Sequence, residues 1–166
     1  MKIRAIGSLA DFEIANTLID AMGKWDAEQS RRFGVKDSEL MEYVYGDTPE
    51  KLMRKFSQRA AGFFLARLED HAAGCAGYSK SSDGIAELQK MFVQPEARGR
   101  GVAKGLMSAC LAAMRRDGYA SVRLETVAFM SGAIAMYEAF GFKRSDPFRS
   151  VPTRLQPITI FMERAL

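Results

Sequence analysis

Hydrophobic positions along the chain switch between a repeat near 3.6 residues and a repeat of two, and that switching marks out helices and strands. Lys2-Ile-Arg-Ala-Ile6 reads as a short first strand. From about Leu9 to Met22, residues Ile14, Leu18, Ile19 and Met22 share one face, which predicts a helix. Residues 23–60 are mixed, with Trp25, Phe33 and Met41–Tyr45 as apolar islands among charges. One or two short helices are expected there, the last over Pro49–Ser57 with Thr48 as its cap. Phe63–Glu69 and Gly74–Ser79 read as a hairpin joined by Asp70–Ala73, and Ser81–Gly84 reads as a turn. Ile85–Val93 is the next strand, and a period of two places Glu87, Gln89, Met91 and Val93 on one face. A helix follows with Val102, Leu106, Met107, Cys110, Leu111 and Met114 on one stripe, cations Arg115 and Arg116 in its last turn and Gly118 as its stop. Ser121–Val127 reads as a strand, Ser131–Phe140 as a helix ended by Gly141, 143–156 as a loop and Pro157–Arg164 as a closing strand. The order β-α-α-β-β-β-α-β-α-β predicts an α/β fold with a mixed sheet, in a single domain spanning 1–166.

Composition changes this picture little. The 166 residues suffice for one domain with a real core, and the net charge of +4 is mild and dispersed. No aromatic-basic strand pattern accompanies that charge, so nucleic acid is not an expected partner. No run reads as a signal peptide or membrane span, and a cytoplasmic protein is expected. Cys75 and Cys110 lack metal-ligand spacing and read as buried inert thiols; the single histidine, His71, reads as a solvent-facing turn residue.

The densest chemical signal is Lys90–Ala103, KMFVQPEARGRGVA. An apolar strand end (Met91, Phe92, Val93) runs through Pro95 into Arg98-Gly99-Arg100-Gly101, and the helical stripe begins at once with Val102, Ala103 and Lys104. A glycine turn entering a helix leaves backbone N–H groups unsatisfied at the positive end of the helix dipole, which suits a phosphate. Glycine tolerates the backbone angles of such a turn and lets an anion approach closely. No Gly-Lys-Ser/Thr follows, so this is not a P-loop, and the GxGxxG turn of a dinucleotide site is absent.

Arg98-x-x-Gly101-x-Ala103 after a Phe-Val strand end resembles the pyrophosphate-binding motif of the GNAT superfamily of acyl-CoA-dependent N-acetyltransferases. Leu124-Glu125-Thr126 followed by Ala133–Phe142, with Tyr137-x-x-x-Gly141-Phe142, resembles that family's fifth strand and following helix. The resemblance implies the GNAT-like fold, a mixed central sheet of six to seven strands with about four helices. It implies acetyl-CoA as the acyl donor, with Met91, Phe92, Val93, Arg98, Gly99, Arg100, Gly101, Val102, Ala103 and Lys104 as the segment that binds it. Backbone amides would hold the pyrophosphate, and amides near Met91–Val93 would serve the oxyanion and the pantetheine arm. An asparagine often found after the fifth strand is replaced here by Met130-Ser131.

By the same resemblance, Tyr137 matches the tyrosine that protonates the departing thiolate, although its place on a face with Ile134 and Phe140 equally suits a core residue. Glu87 matches a glutamate that takes the amine's proton, and equally suits a structural carboxylate. The acceptor expected is a primary amine of a small molecule or amino acid, with a protein amine or a non-catalytic acyl-CoA sensor as the alternatives. Trp25–Tyr45 and Asp146–Arg154 are expected near the acceptor. Homodimers are frequent in the resembling family.

Overall fold

The computed structural model describes residues 1–38, 40 and 45–166. Its strands are β1 (Lys2–Ala5), β2 (Gly62–Leu68), β3 (His71–Ser82), β4 (Ile85–Val93), β5 (Ser121–Val127), β6 (Lys143–Arg144) and β7 (Thr159–Ala165). Among the described residues four α-helices have defined limits: α1 (Leu9–Ser30), α2 (Pro49–Phe56), α3 (Val102–Arg116) and α4 (Ser131–Ala139). All seven strands form one sheet in the order β1-β2-β3-β4-β5-β7-β6. Among the described residues only β4 and β5 pair in parallel, which fits α3 as the crossover between them.

The sheet is buried on both faces. One apolar cluster joins α3 and α4 through Leu106, Met107, Met114, Ile134 and Tyr137 to Ala86, Leu88 and Leu124. The other joins α1 and α2 through Phe12, Leu18, Leu52 and Phe56 to Phe63, Leu65 and Phe92. Cys75 and Cys110 are both free and buried within these layers.

Local chemistry explains the helix limits. The Ser8 side chain accepts from the Asp11 amide to start α1, and Thr48 does the same for Lys51 ahead of Pro49 in α2. Gly118, at φ 85°, follows α3 as expected. α1 continues eight residues past the limit expected at Met22, through a glycine that disfavours helix. Gly23 is there because the Tyr45 ring lies against it; a Cβ would sit 3.2 Å from the ring carbons. The hairpin turn is also tighter than expected. β3 begins at His71, which pairs with Leu68, so only Glu69 and Asp70 turn the chain, Glu69 with φ 53°. His71 is exposed but belongs to the strand.

The expected single face for Glu87, Gln89, Met91 and Val93 does not survive. Gly77 pairs with Gln89 and Cys75 with Phe92, so β4 carries one extra residue, a bulge at Lys90 with φ 54°. An inserted residue inverts the alternation beyond it. Ala86 and Leu88 face the α3 layer before the bulge, whereas Met91 and Val93 face it afterwards and Phe92 turns to the α1 layer. The Cys75 thiol donates to the Lys90 carbonyl at 3.3 Å, satisfying the displaced backbone group.

β4 and β5 pair only over Ile85–Glu87 and Ser121–Arg123; beyond those residues they run on unpaired. Opposite the bulge, Gly74 lets β3 approach closely. A Cβ there would meet the Phe92 carbonyl oxygen at 2.6 Å, an obstacle made of backbone. Gly74→Ala is expected to lower stability by about 1–3 kcal/mol, measured by urea unfolding.

Candidate active site

Two adjoining clefts open where β4 and β5 part, of about 260 and 370 Å³. The larger reaches Met91, Phe92, Val93, Arg98 and Ala103 on one side and the first turn of α4 on the other. The smaller is bordered by charged side chains from α1, α2, β4, β5 and the loop before β7. Met22, Met91, Met130 and Tyr137 line both. Every strand-end residue of the sequence motif, Met91 to Val93, therefore lies on the larger cleft.

The glycine turn has the geometry its sequence requires. Gly99 and Gly101 have φ of 74° and 78°, and no protein atom lies within 4 Å of where their Cβ atoms would be. Gly101 caps α3 without any side-chain hydrogen bond. Among the described residues, no backbone carbonyl accepts from the amides between Gly99 and Lys104; the first amide of this run to be bonded is Gly105, to Gly101. These donors at the start of a 15-residue helix fit a diphosphate. The Arg98 side chain turns instead to the protein: its Nε donates to the Val93 carbonyl at 3.3 Å and its guanidinium lies 5.8 Å from the Trp25 ring centre. Arg100 and Lys104 are exposed beside the turn.

Tyr137 is buried on α4, its ring 5.9 Å from that of Phe142. Burial, reinforced by the negative charge of Asp26, pushes its phenol up to about 12. It is therefore a protonated phenol at neutral pH, and no hydrogen bond engages it among the described residues.

Glu87 faces the smaller cleft with both oxygens occupied. Oε1 is ion-paired with Arg149, and Oε2 accepts from the Ser81 hydroxyl at 3.3 Å. Arg149 also reaches Glu125, with Nε 3.4 Å from Oε2, while Arg123 Nε donates to Ser81 Oγ at 2.7 Å. Phe148 lies between these guanidiniums, 4.1 Å from Arg123 and 4.8 Å from Arg149, and packs on Phe161. This is the geometry of a carboxylate that orders its neighbours. Lys90, displaced toward the cleft by the bulge, pairs with Asp47 at 3.3 Å and lies 5.5 Å from the Tyr45 ring centre.

Asp26 was not legible as a site residue. It sits in the part of α1 beyond the predicted helix, only 6 % exposed, and lines the smaller cleft. The Tyr45 hydroxyl donates to Oδ2, and among the described residues Oδ1 has no hydrogen-bond partner. Burial pushes its carboxyl up to about 6, opposed in part by the Tyr45 hydrogen bond. Arg149 was anticipated only as part of the loop near the acceptor, and Lys55 of α2 not at all; no local motif marks either. Trp25 lines the larger cleft, beside the strand end and Arg98, and Tyr45 the smaller, while Tyr43 lies outside the described residues.

Ionising Asp26 in this site opposes folding. Raising the carboxyl from 3.8 to about 6 corresponds to on the order of 3 kcal/mol. The folded chain holds that proton more tightly than the unfolded chain. The stabilisation is thus complete below pH 3.8 and is lost as pH rises through about 6. Asp26→Asn, which can still accept from Tyr45, should therefore exceed wild type in stability by on the order of 3 kcal/mol at pH 8, with the difference vanishing at pH 4. Urea unfolding at the two pH values checks this.

Comparisons with known proteins agree with the fold. The family described as "Acetyltransferase (GNAT) family" matches residues 22–142. The chain is 35% identical over 100 residues to the uncharacterized N-acetyltransferase YjgM of Escherichia coli, covering 58% of this chain and 60% of that protein. It is 32% identical over 105 residues to the IAA acetyltransferase of Azospirillum brasilense, covering 63% and 67% respectively. In structure it resembles the PaiA N-acetyltransferase from Thermoplasma acidophilum, solved in complex with coenzyme A. That match has a TM-score of 0.74 and 21% identity and covers 100% of both chains. With a glycine turn at a helix start, a parted pair of parallel strands and a family match over most of its length, the chain belongs to the GNAT acetyltransferase family.

Proposed function

We propose that the protein is an N-acetyltransferase that moves an acetyl group from acetyl-CoA to a primary amine of a small molecule or amino acid by direct attack. The observation that carries this reading is the position of Tyr137, on the wall shared by the cleft of the glycine turn and the charged cleft. Acetyl-CoA supplies a thioester carbonyl and a thiol leaving group. The amides of Gly99–Lys104 bind its diphosphate, with Arg100 and Lys104 adding positive charge at the exposed rim. The unpaired edge of β4 over Met91–Val93 offers hydrogen-bonding groups to an extended arm, as an added strand would use them, and amides there face a developing oxyanion.

An aliphatic amine is mostly ammonium at neutral pH, so a proton must leave the nitrogen before attack, and the departing sulfur gains from a donor. Tyr137 holds that proton, and its burial keeps it in the phenol form. Glu87 acts by fixing Arg149 across the acceptor cleft, given that Arg149 and Ser81 occupy its oxygens. The proposal includes a cytoplasmic location and a homodimer.

Tyr137→Phe should lower kcat by roughly 10²–10⁴-fold, the usual worth of a positioned acid, while leaving acetyl-CoA affinity nearly unchanged by calorimetry. An unaltered kcat would remove the donor role. Gly101→Val should weaken acetyl-CoA binding at least tenfold, because a side chain would project into the space open to the anion. Thiol release from acetyl-CoA against amines, amino acids and peptides separates this reading from its alternatives. Turnover confined to peptides would indicate a protein acceptor, and binding without turnover a sensor.

A further inference from the structure

Among the described residues, the charged cleft is balanced except at two places. Among its described acids, Glu87 and Glu125 share Arg149, and Asp47 pairs with Lys90. Two acceptor atoms on its wall, Asp26 Oδ1 and Gln89 Oε1, are buried without a hydrogen-bond partner among the described residues. Such orphans are costly to a fold, and a ligand's donors would relieve that penalty. The unmatched cation is Lys55, which also lines the cleft and has no carboxylate within 4 Å among the described residues. Its ammonium lies 5.3 Å from the Phe56 ring centre, and burial pulls it below the ordinary lysine range.

The groups come from different elements: Asp26 from α1 and Gln89 from β4, with Tyr137 on the wall shared with the cofactor-side cleft, and Lys55 from α2. A volume of about 260 Å³ is below the ~300–1,000 Å³ of pockets for drug-sized ligands, so the occupant is small.

We propose that the acceptor is a small primary amine bearing a carboxylate, its nitrogen held by Asp26 and Gln89 next to Tyr137 and its carboxylate held by Lys55. This deepens the acyltransfer reading and rests on it. The acceptor enters as an ammonium whose donors meet Asp26 Oδ1 and Gln89 Oε1. One proton passes from nitrogen to Asp26 and from there to solvent, freeing the lone pair. The new N–C bond forms as the C–S bond breaks, with the electron pair leaving on sulfur. Tyr137 gives its proton to the sulfur and recovers one from the nitrogen. One ammonium and one thioester thus become one amide, one thiol and one released proton.

The test uses the full chain, acetyl-CoA and matched sets of amino acids, their carboxamides and the corresponding decarboxylated amines, with thiol release as the readout. Amino acids should exceed their uncharged counterparts at least tenfold in kcat/KM. In Lys55→Gln that preference should collapse toward unity, mainly through a raised KM. Asp26→Asn should lower kcat about a hundredfold for every acceptor, with acetyl-CoA affinity by calorimetry showing that the fold is intact. Equal rates for charged and uncharged members, a preference that survives Lys55→Gln, or full activity of Asp26→Asn would each overturn the proposal. Uniform turnover of all amines would do so while leaving the acyltransfer reading standing. Silence with every amine, despite acetyl-CoA binding, would remove both.

Discussion

The structure depends on a failure of strand pairing. β4 and β5 are held together by a parallel ladder only as far as Glu87 and Arg123, and then separate. Backbone groups in a sheet interior are normally paired because leaving them dry and unbonded is costly. Here the edge of β4 is left open instead, and both clefts lie along it. The bulge at Lys90 falls within this stretch, bends the strand and inverts its alternation. It keeps Gln89 and Lys90 on the charged cleft while presenting Met91 and Val93 to the opposite layer. The Cys75 thiol is the device that makes the inversion tolerable, since it bonds the carbonyl that the ladder has lost.

The charges around the opening follow a consistent logic. Arg149 comes from an irregular segment, yet its position is set on three sides, by Glu87, by Glu125 and by the Phe148 ring. Lys90 is placed between Asp47 and the Tyr45 ring. These ions are partly desolvated, and each has a partner that offsets the loss of water. Asp26 differs. Burial disfavours its ionised form, the Tyr45 hydroxyl offsets this only in part, and among the described residues one of its oxygens has no hydrogen-bond partner. Proteins seldom keep such a group unless it contributes to function, because replacing it with a neutral isostere would stabilise the fold.

The glycines serve distinct ends. Gly99 and Gly101 turn backbone amides outward, and the space beside them is empty of protein. Gly23 and Gly74 do the reverse, giving room for the Tyr45 ring and for the Phe92 carbonyl. The first pair leaves the turn open at the place proposed for an anion; the second brings Tyr45 to Asp26 and lets β3 follow the bulge.

Sequence alone determined what depends on neighbours within a few residues. The periodicities marked β4 and β5 to the residue, Thr48-Pro49 announced α2, and the Phe-Val strand end with its glycine turn announced the start of α3. These signals are local, since capping, backbone freedom and the repeat of side chains act over one or two turns. Tertiary structure decided the rest. The bulge needs β3 beside β4 to define it, and the continuation of α1 through Gly23 needs the Tyr45 ring from 22 residues away. Asp26, Lys55, Glu87 and Arg149 converge from two helices, a strand and a loop, and no spacing in the chain records that convergence. Whether a carboxylate is partnered or orphaned depends on what folding brings to each oxygen. Thus Glu87 could be singled out from sequence, while its engagement by Arg149 and the unoccupied oxygen of Asp26 could not.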